Sequence, residues 1–447
     1  MYRNLMMERG VTTMELMEVI LSKENLNQAY KKVKANKGAS GVDKITTEEL
    51  GDYIRENKEN IVNSLKERKY FPKPVRRVYI PKDNGKKRPL GIPTTMDRVI
   101  QQAMAQPLTD IYENIFSDYS YGFRPKRSGH DAIKQALVYL NSGHEWVVDL
   151  DIEQFFDKVN HDKLISILRE EVNDSDVLNL IRKYLKAGVM EKGIVKATKN
   201  GVPQGGPLSV ILSNVYLDKL DKELEQRGLS FVRYADDVMI FTKSEMAANR
   251  VMKSVSSWIE RKLFLRVNAS KSKVVRPRRS KYLGFTFLRN GGEWKVKPQS
   301  EKKAKLFETL RVYLKRGKAA SRSLSETFKR VNQIVRGWIN YYRIGMMKGF
   351  MKEFGQWLRH KIRVIIIKQW KKSKTIYKNL SYINRKCRNG FNHESIYKVA
   401  NSRLGWYKRS SMNVVNFILN PKLLEMKIKD RPGLVNPLNY YLRNVGI

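Results

Sequence analysis

Short apolar runs of strand character flank acidic residues at two places in the chain. Phe231, Val232 and Tyr234 precede the adjacent carboxylates Asp236 and Asp237, and Val238, Met239, Ile240 and Phe241 follow them. These β-branched and aromatic residues predict two buried strands, so the acids fall at a tight strand-turn-strand tip. In Glu145-Trp-Val-Val-Asp-Leu-Asp-Ile-Glu-Gln-Phe-Phe-Asp157, Val147, Val148, Leu150 and Ile152 bury a further strand. Asp149 and Asp151, two residues apart, project from one face of it. The period changes beyond the turn at Asn290-Gly-Gly292. Leu306, Leu310 and Tyr313 recur at helical spacing within residues 300–315, and Ile334, Trp338, Tyr341 and Tyr342 form a second stripe. Lys302, Lys303, Lys305, Arg311 and Arg316 give the first a basic outer face, so both read as packed helices. Near the start, residues 21–42 predict a helix from Leu26-Asn-Gln-Ala-Tyr30 onward, ending in the Lys37-Gly-Ala-Ser-Gly41 loop. Toward the end, Pro432-Gly-Leu-Val-Asn-Pro437 reads as a loop that breaks any helix.

Side-by-side charges at a strand tip repel, and burying either without a counter-ion costs several kcal/mol, on the order of the penalty for an unpaired buried ion. A solvated surface turn would escape that cost; a divalent cation would remove it. A carboxylate at one strand end and a pair at a nearby hairpin tip suit two hard cations about 3.5 to 4 Å apart, the arrangement of nucleotidyl transfer. Such ions take oxygen ligands rather than Cys or His.

Composition narrows the partners. The 447 residues include 87 Lys plus Arg against 44 Asp plus Glu, a net charge of +43, with basic residues along the whole length and aromatics among them. That is a footprint for polyphosphate, and it carries no sequence preference, because phosphate contacts set affinity while base contacts specify. Membrane binding is the competing reading, but runs such as Val364-Ile-Ile-Ile367 are far too short to span a bilayer and no apolar segment follows the charged N-terminus. Cys387 is the single cysteine, which leaves no disulfide framework or Cys-type zinc site and suits a reducing cytoplasm. His130, His144, His161, His360 and His393 offer no helical ligand spacing and read as ordinary surface or core residues.

Seven segments in a fixed order resemble the reverse transcriptase and maturase proteins encoded in bacterial group II introns. They are Val75-Arg-Arg-Val-Tyr-Ile-Pro-Lys82 with Arg88-Pro-Leu-Gly-Ile-Pro93; Tyr119-Ser-Tyr-Gly-Phe-Arg-Pro125; the acidic strand; Gly201-Val-Pro-Gln-Gly-Gly-Pro-Leu-Ser209; the Tyr-Ala-Asp-Asp tip; Asn268 with Lys271 and Lys273; and Lys281-Tyr-Leu-Gly-Phe285. The resemblance implies an α+β right-hand polymerase. Fingers and palm with an N-terminal extension would occupy residues 1–295, a helical thumb or maturase domain 296–372, and a small basic domain that binds DNA 373–447. Nothing after Gly390 resembles the His- and Cys-rich endonuclease domain of many members, so none is expected.

Residue by residue, the family pattern implies metal ligation by Asp151, the Ile152 carbonyl, Asp236 and Asp237, with two magnesium ions, or manganese in their place. Asp149 shares the face of Asp151 and is the rival ligand. Five residues beyond Asp151, the ring of Phe156 would exclude a 2′-hydroxyl; otherwise it is a core Phe beside Phe155. Lys82 and Arg88 resemble the finger residues that clasp the triphosphate, Arg in bidentate fashion, with Asp83-Asn-Gly85 as a hairpin turn between them. Gly201, Gly205 and Gly206 would admit backbone close to the nascent pair, with Gln204 contacting template or nucleotide. Residues 261–281 hold nine basic residues and no acidic one. Lys271, in the Asn-x-x-Lys pattern, would protonate pyrophosphate or else form part of a solvated basic face. Tyr282, Leu283 and Gly284 resemble the turn that holds the primer end.

The function so implied is RNA-directed DNA polymerisation on an RNA template and DNA primer from deoxynucleoside triphosphates. The same basic surface would bind the intron RNA to assist splicing and carry it to target DNA for insertion; a homodimer is compatible with this and not required. Two other readings stay open, a maturase that binds RNA without polymerising and a reverse transcriptase of this fold recruited to defence or repair.

Overall fold

The computed structural model describes residues 15–81, 85 and 87–445. The chain divides between Pro277 and Arg278 into two compact units. The described residues of the first include eight strands: β1 (Val75–Pro81), β2 (Lys87–Ile92), β3 (Trp146–Asp151), β4 (Val189–Glu191), β5 (Ile194–Lys196), β6 (Ser230–Tyr234), β7 (Asp237–Thr242) and β8 (Lys273–Val275). They make two four-stranded sheets, ordered β2-β1-β4-β5 and β6-β7-β3-β8. The first sheet holds the β1–β2 hairpin, closed at the Pro81–Lys87 pair, with β4 running parallel to β1. In the second every pairing is antiparallel.

Both strands flanking the acidic pair are buried as their composition predicts. Phe231, Val232 and Val238 to Ile240 are fully enclosed, as are Val147, Val148 and Leu150. Helix Glu245–Leu263 packs on β3, β7 and β8, helix Gly129–Asn141 on β6. Helix Pro207–Gln226 places Leu212, Tyr216, Leu217 and Leu220 in the same core, and Pro207 opens it at a position whose N–H needs no partner.

Helix Thr95–Tyr112 contains a proline, Pro107, which cannot donate to the carbonyl of Ala103. Asn25 takes that place: its Nδ2 donates to the Ala103 carbonyl at 2.8 Å. Asn25 stands on helix Lys23–Ala35, so a broken hydrogen bond inside one helix becomes the attachment point of another. That helix and the loop after it match the expectation for residues 21–42.

The second unit begins with a three-stranded sheet of β9 (Lys281–Tyr282), β10 (Phe285–Asn290) and β11 (Glu293–Pro298), ordered β11-β10-β9. Asn290-Gly-Gly292 is thus the turn of a hairpin inside this unit, with helices following β11. In helix Ser300–Tyr313, Leu306 and Leu310 are buried, as expected. Helix Leu324–Tyr342 corrects the second stripe: Val331, Val335, Ile339 and Tyr342 face the core, whereas Ile334 and Trp338 are half-buried and Tyr341 is 43% exposed. Two stripes overlap on this helix, and the one with the more compact side chains takes the interior while the amphipathic rings take the edge. Helix Lys348–Trp370 buries all of Val364 to Ile367, so that run is a helix enclosed by protein. Among the described residues no helix is long and apolar enough to cross a membrane. Residues 432–436 are irregular, as predicted, but Pro437 starts helix Pro437–Asn444 instead of ending one.

Asn25→Ala leaves the Ala103 carbonyl without its donor, and we expect a loss of about 1–2 kcal/mol of stability, read as a lower denaturation midpoint. An unchanged midpoint would show that water replaces Asn25 at no cost.

Candidate active site

Strand register brings the predicted acids together. Asp151, the last residue of β3, pairs directly with Asp237, the first of β7. Asp237 also pairs with Tyr234 across the β6–β7 hairpin, leaving Ala235 and Asp236 as its two-residue turn. Ala235 lies in the left-handed region, φ 58°, a conformation costly for a residue with a Cβ. Asp149 pairs with Met239 on one side and Lys273 of β8 on the other.

This crowding perturbs the carboxylates. Burial first, and then Asp149, Asp236 and Asp151, push Asp237 up to about 8. Asp236 is also raised, chiefly by burial and further by Asp151, while Arg88 and Lys271 oppose the shift. Asp149 is raised by burial against the pull of Lys273, whose Nζ lies 3.6 Å away. Lys271 Nζ donates to both oxygens of Asp151, at 3.1 and 3.0 Å. The backbone of Asp151 is fixed as well, its N–H donating to Ser272 Oγ at 3.0 Å and its carbonyl accepting from Asn268 N–H at 2.8 Å. Ile152 is buried and bridges to Val267.

The donor set fits a hard cation in chemistry, being all carboxylate and mutually repulsive. It is not closed: among the described residues no three His, Cys, Asp or Glu side chains converge as a metal-binding group. Asp151 is engaged by Lys271 instead, so a cation at these acids has to displace that ammonium.

A cleft of about 860 Å³ gathers Arg88, Phe156, Gln204 and Gly205 from three separate stretches of chain, with Phe123 and Pro125 on its wall. Phe155 is buried, while Phe156 is half-buried and meets it edge to face at 5.2 Å. The Gly201–Pro207 loop is bound on two sides. Val202 N–H donates to the Phe156 carbonyl and Gly91 N–H to the Gln204 carbonyl. At Gly205, φ is 125° and a Cβ would lie 2.7 Å from the Gly91 carbonyl oxygen, so only glycine fits. His161 is buried with Nε2 2.7 Å from the Gly201 carbonyl oxygen, an ordinary structural histidine as expected.

Lys82, Asp83 and Asn84 lie outside the described residues. Tyr282, Leu283 and Gly284 belong to the second unit, where Tyr282 is buried and the Leu283 carbonyl accepts from Tyr341 Oη at 2.9 Å.

The sequence reading missed a buried polar framework behind the turn. Arg233, 0% exposed, pairs with the equally buried Asp221 of helix Pro207–Gln226. Its Nη1 donates to Asn214 Oδ1 and to the Ala235 carbonyl, both at 3.0 Å. Asn214 Nδ2 in turn donates to the Gly122 carbonyl at 2.9 Å. A signal existed, since an arginine in the apolar run Phe231-Val232-Arg233-Tyr234 needs an acid partner; which acid was not legible.

A strand pair ending in opposed carboxylates, beside a cleft lined by an arginine, an aromatic ring and a glycine-rich loop, defines a polymerase palm with its fingers. The comparisons agree. The family described as Reverse transcriptase (RNA-dependent DNA polymerase) matches residues 80–287, and Group II intron, maturase-specific domain matches residues 304–382. Protein YkfC of Escherichia coli is 33% identical over 58% of this chain and 78% of its own length. Group II intron-encoded protein LtrA of Lactococcus lactis is 44% identical over 46% of this chain, which spans only 34% of LtrA. Nuclear intron maturase 3 of Arabidopsis thaliana is 26% identical over 40% of this chain and 29% of its own length. The chain belongs to the group II intron reverse transcriptase and maturase family.

The raised Asp237 gives a pH test. Its folded value lies above the ordinary carboxylate value, so folding favours the protonated form; that contribution is complete below about 4 and is lost as pH rises through about 8. Because Asp237 is partly open to solvent, we expect metal-free wild type to lose on the order of 1 kcal/mol relative to Asp237→Asn between pH 5 and pH 8. Parallel stability curves for the two proteins would remove the shift.

Proposed function

We propose that the protein copies RNA into DNA from deoxynucleoside triphosphates at Asp151, Asp236 and Asp237, using two magnesium ions. The observation that carries this is the direct Asp151–Asp237 pairing with Asp236 in the adjoining turn. Divalent ions bound there supply activation of a primer 3′-hydroxyl and neutralisation of a leaving pyrophosphate. Everything else is work for side chains. Lys271 compensates the charge of Asp151 and, with a metal held at the acids, would be the ammonium placed to donate a proton to pyrophosphate. Arg88, exposed at the cleft and close enough to Asp236 to lower its proton affinity, offers bidentate contact to phosphate, with Lys82 as its partner. Phe156 presents its ring where a ribose 2′-hydroxyl would lie. Gln204 and Gly205 present a backbone surface to the templating pair.

We further propose that the intron RNA is a second ligand, bound to assist its splicing, and that residues 373–447 engage target DNA during insertion. Net charge supports polyanion binding, and the maturase-specific match at residues 304–382 supports the RNA role.

Primer extension on an RNA template tests the first reading. Wild type should extend, and Asp236→Asn/Asp237→Asn, at matched RNA affinity, should lose activity by a factor of about 10³ or more. If neither extends although both bind RNA, the protein is a binding-only maturase. Phe156→Ala should raise ribonucleotide incorporation while deoxynucleotide incorporation stays measurable; unchanged sugar discrimination removes the gate. Arg88→Ala should weaken nucleotide binding more than template binding, and equal losses would make Arg88 a generic phosphate contact.

A further inference from the structure

A fully buried arginine is rare, and a cell of low dielectric makes its placement costly unless every contact is used. Arg233 uses its contacts in a particular way. Two nitrogens clasp Asp221, Nε at 2.7 Å from Oδ1 and Nη2 at 2.5 Å from Oδ2. The remaining one, Nη1, divides between Asn214 Oδ1 and the carbonyl of Ala235. The side chain therefore reaches past the end of its own strand and holds the central peptide of the turn, the one that joins Ala235 to Asp236.

Three other contacts hold the chain just ahead of that peptide. The Arg233 backbone donates to the Tyr119 carbonyl at 2.9 Å and accepts from Tyr121 N–H at 2.8 Å. Gly122 follows, and a Cβ there would lie 2.2 Å from the Ala235 nitrogen, so the two backbones are in direct contact. Asn214 joins the halves, accepting from Arg233 and donating to Gly122. The left-handed Ala235, φ 58°, is the kind of strained residue that persists only where its surroundings over-determine it. An apolar core would bury these strands without fixing a turn peptide; the polar framework adds direction.

We propose that Arg233, locked by Asp221 and Asn214, is the positioning residue that fixes the Ala235–Asp236 turn and so sets the rate of nucleotide transfer. This rests on the reading of Asp236 and Asp237 as catalytic. Arg233 acts through the Ala235 peptide and touches no substrate. Lysine in its place keeps a charge for Asp221, but its single ammonium lacks the planar fork that reaches Asn214 and Ala235 as well.

The test is Arg233→Lys in the full chain, with four readouts: the pre-steady-state burst of primer extension, RNA and nucleotide affinity, the melting midpoint, and amide hydrogen exchange of the metal-free protein. We expect the burst rate to fall by about ten- to a hundredfold, with affinities held within roughly twofold and exchange faster in residues 230–238. A lower melting midpoint and smaller burst amplitude, with burst rate and turn exchange intact, overturn the proposal and leave the framework a stabilising element only. Should Arg233→Lys fail to fold, Asn214→Ala, which leaves the ion pair in place, decides by the same readouts. A wild type that binds RNA without extending primer overturns the polymerase reading instead; faster exchange at the turn in Arg233→Lys then still establishes the clamp.

Discussion

Repulsion between like charges at one end of the β3–β7 ladder is the constraint on which the first unit turns. Two carboxylates about 4 Å apart repel by about 4 kcal/mol at the dielectric of a protein surface, a large part of the 5–15 kcal/mol that holds a domain together. Here Asp149, Asp151 and Asp236 all bear on Asp237, Asp151 by direct strand pairing and Asp236 from the adjoining two-residue turn. The cost appears in the raised proton affinity of Asp237 and in the two lysines of the next segment, Lys271 and Lys273, each set against one acid. A site built this way is strained, and its crowded carboxylates are oxygen donors of the kind a hard cation takes.

Such strain needs a rigid frame, and the frame is made of two materials. Apolar packing supplies the enclosure: Val148, Leu150, Val238 and Ile240 lie in one core with Tyr216 and Leu217 of helix Pro207–Gln226. Packing of this kind is non-directional and would tolerate a shifted turn. Hydrogen bonds supply the direction. Arg233, Asp221 and Asn214 form a buried network that is completed by the backbone carbonyls of Ala235 and Gly122, and such networks specify one geometry at the expense of desolvation. The same division recurs at the cleft, where Phe156 packs on Phe155 while the Gly201–Pro207 loop is pinned by backbone bonds to Phe156 and Gly91.

Much of this could be read along the chain. The strands around Asp236 and Asp237 announce themselves because buried β residues are branched and aromatic, and Asp149 and Asp151 share a face because strands alternate. Gly205 reads from the sequence as a close approach to the nascent base pair, whereas the close approach in the fold is to the Gly91 carbonyl. The helix carrying Ile334, Trp338 and Tyr341 was legible as a helix, yet its buried face was misjudged by one ridge, since periodicity alone does not choose between overlapping stripes.

By itself, then, the sequence determined the local period of each element, the residue types that can hold a hard cation or a phosphate, and the order of motifs that identifies the family. Tertiary structure alone decided which acid faces which, that Lys271 caps Asp151, that Asn25 replaces the hydrogen bond Pro107 cannot make, and that Arg233 chose Asp221 from the acids available. The physical reason is range. Side-chain alternation and helical period are set within a few residues of chain, whereas an ion pair between residues 221 and 233 or a salt bridge between 151 and 271 depends on register and packing that no local stretch encodes.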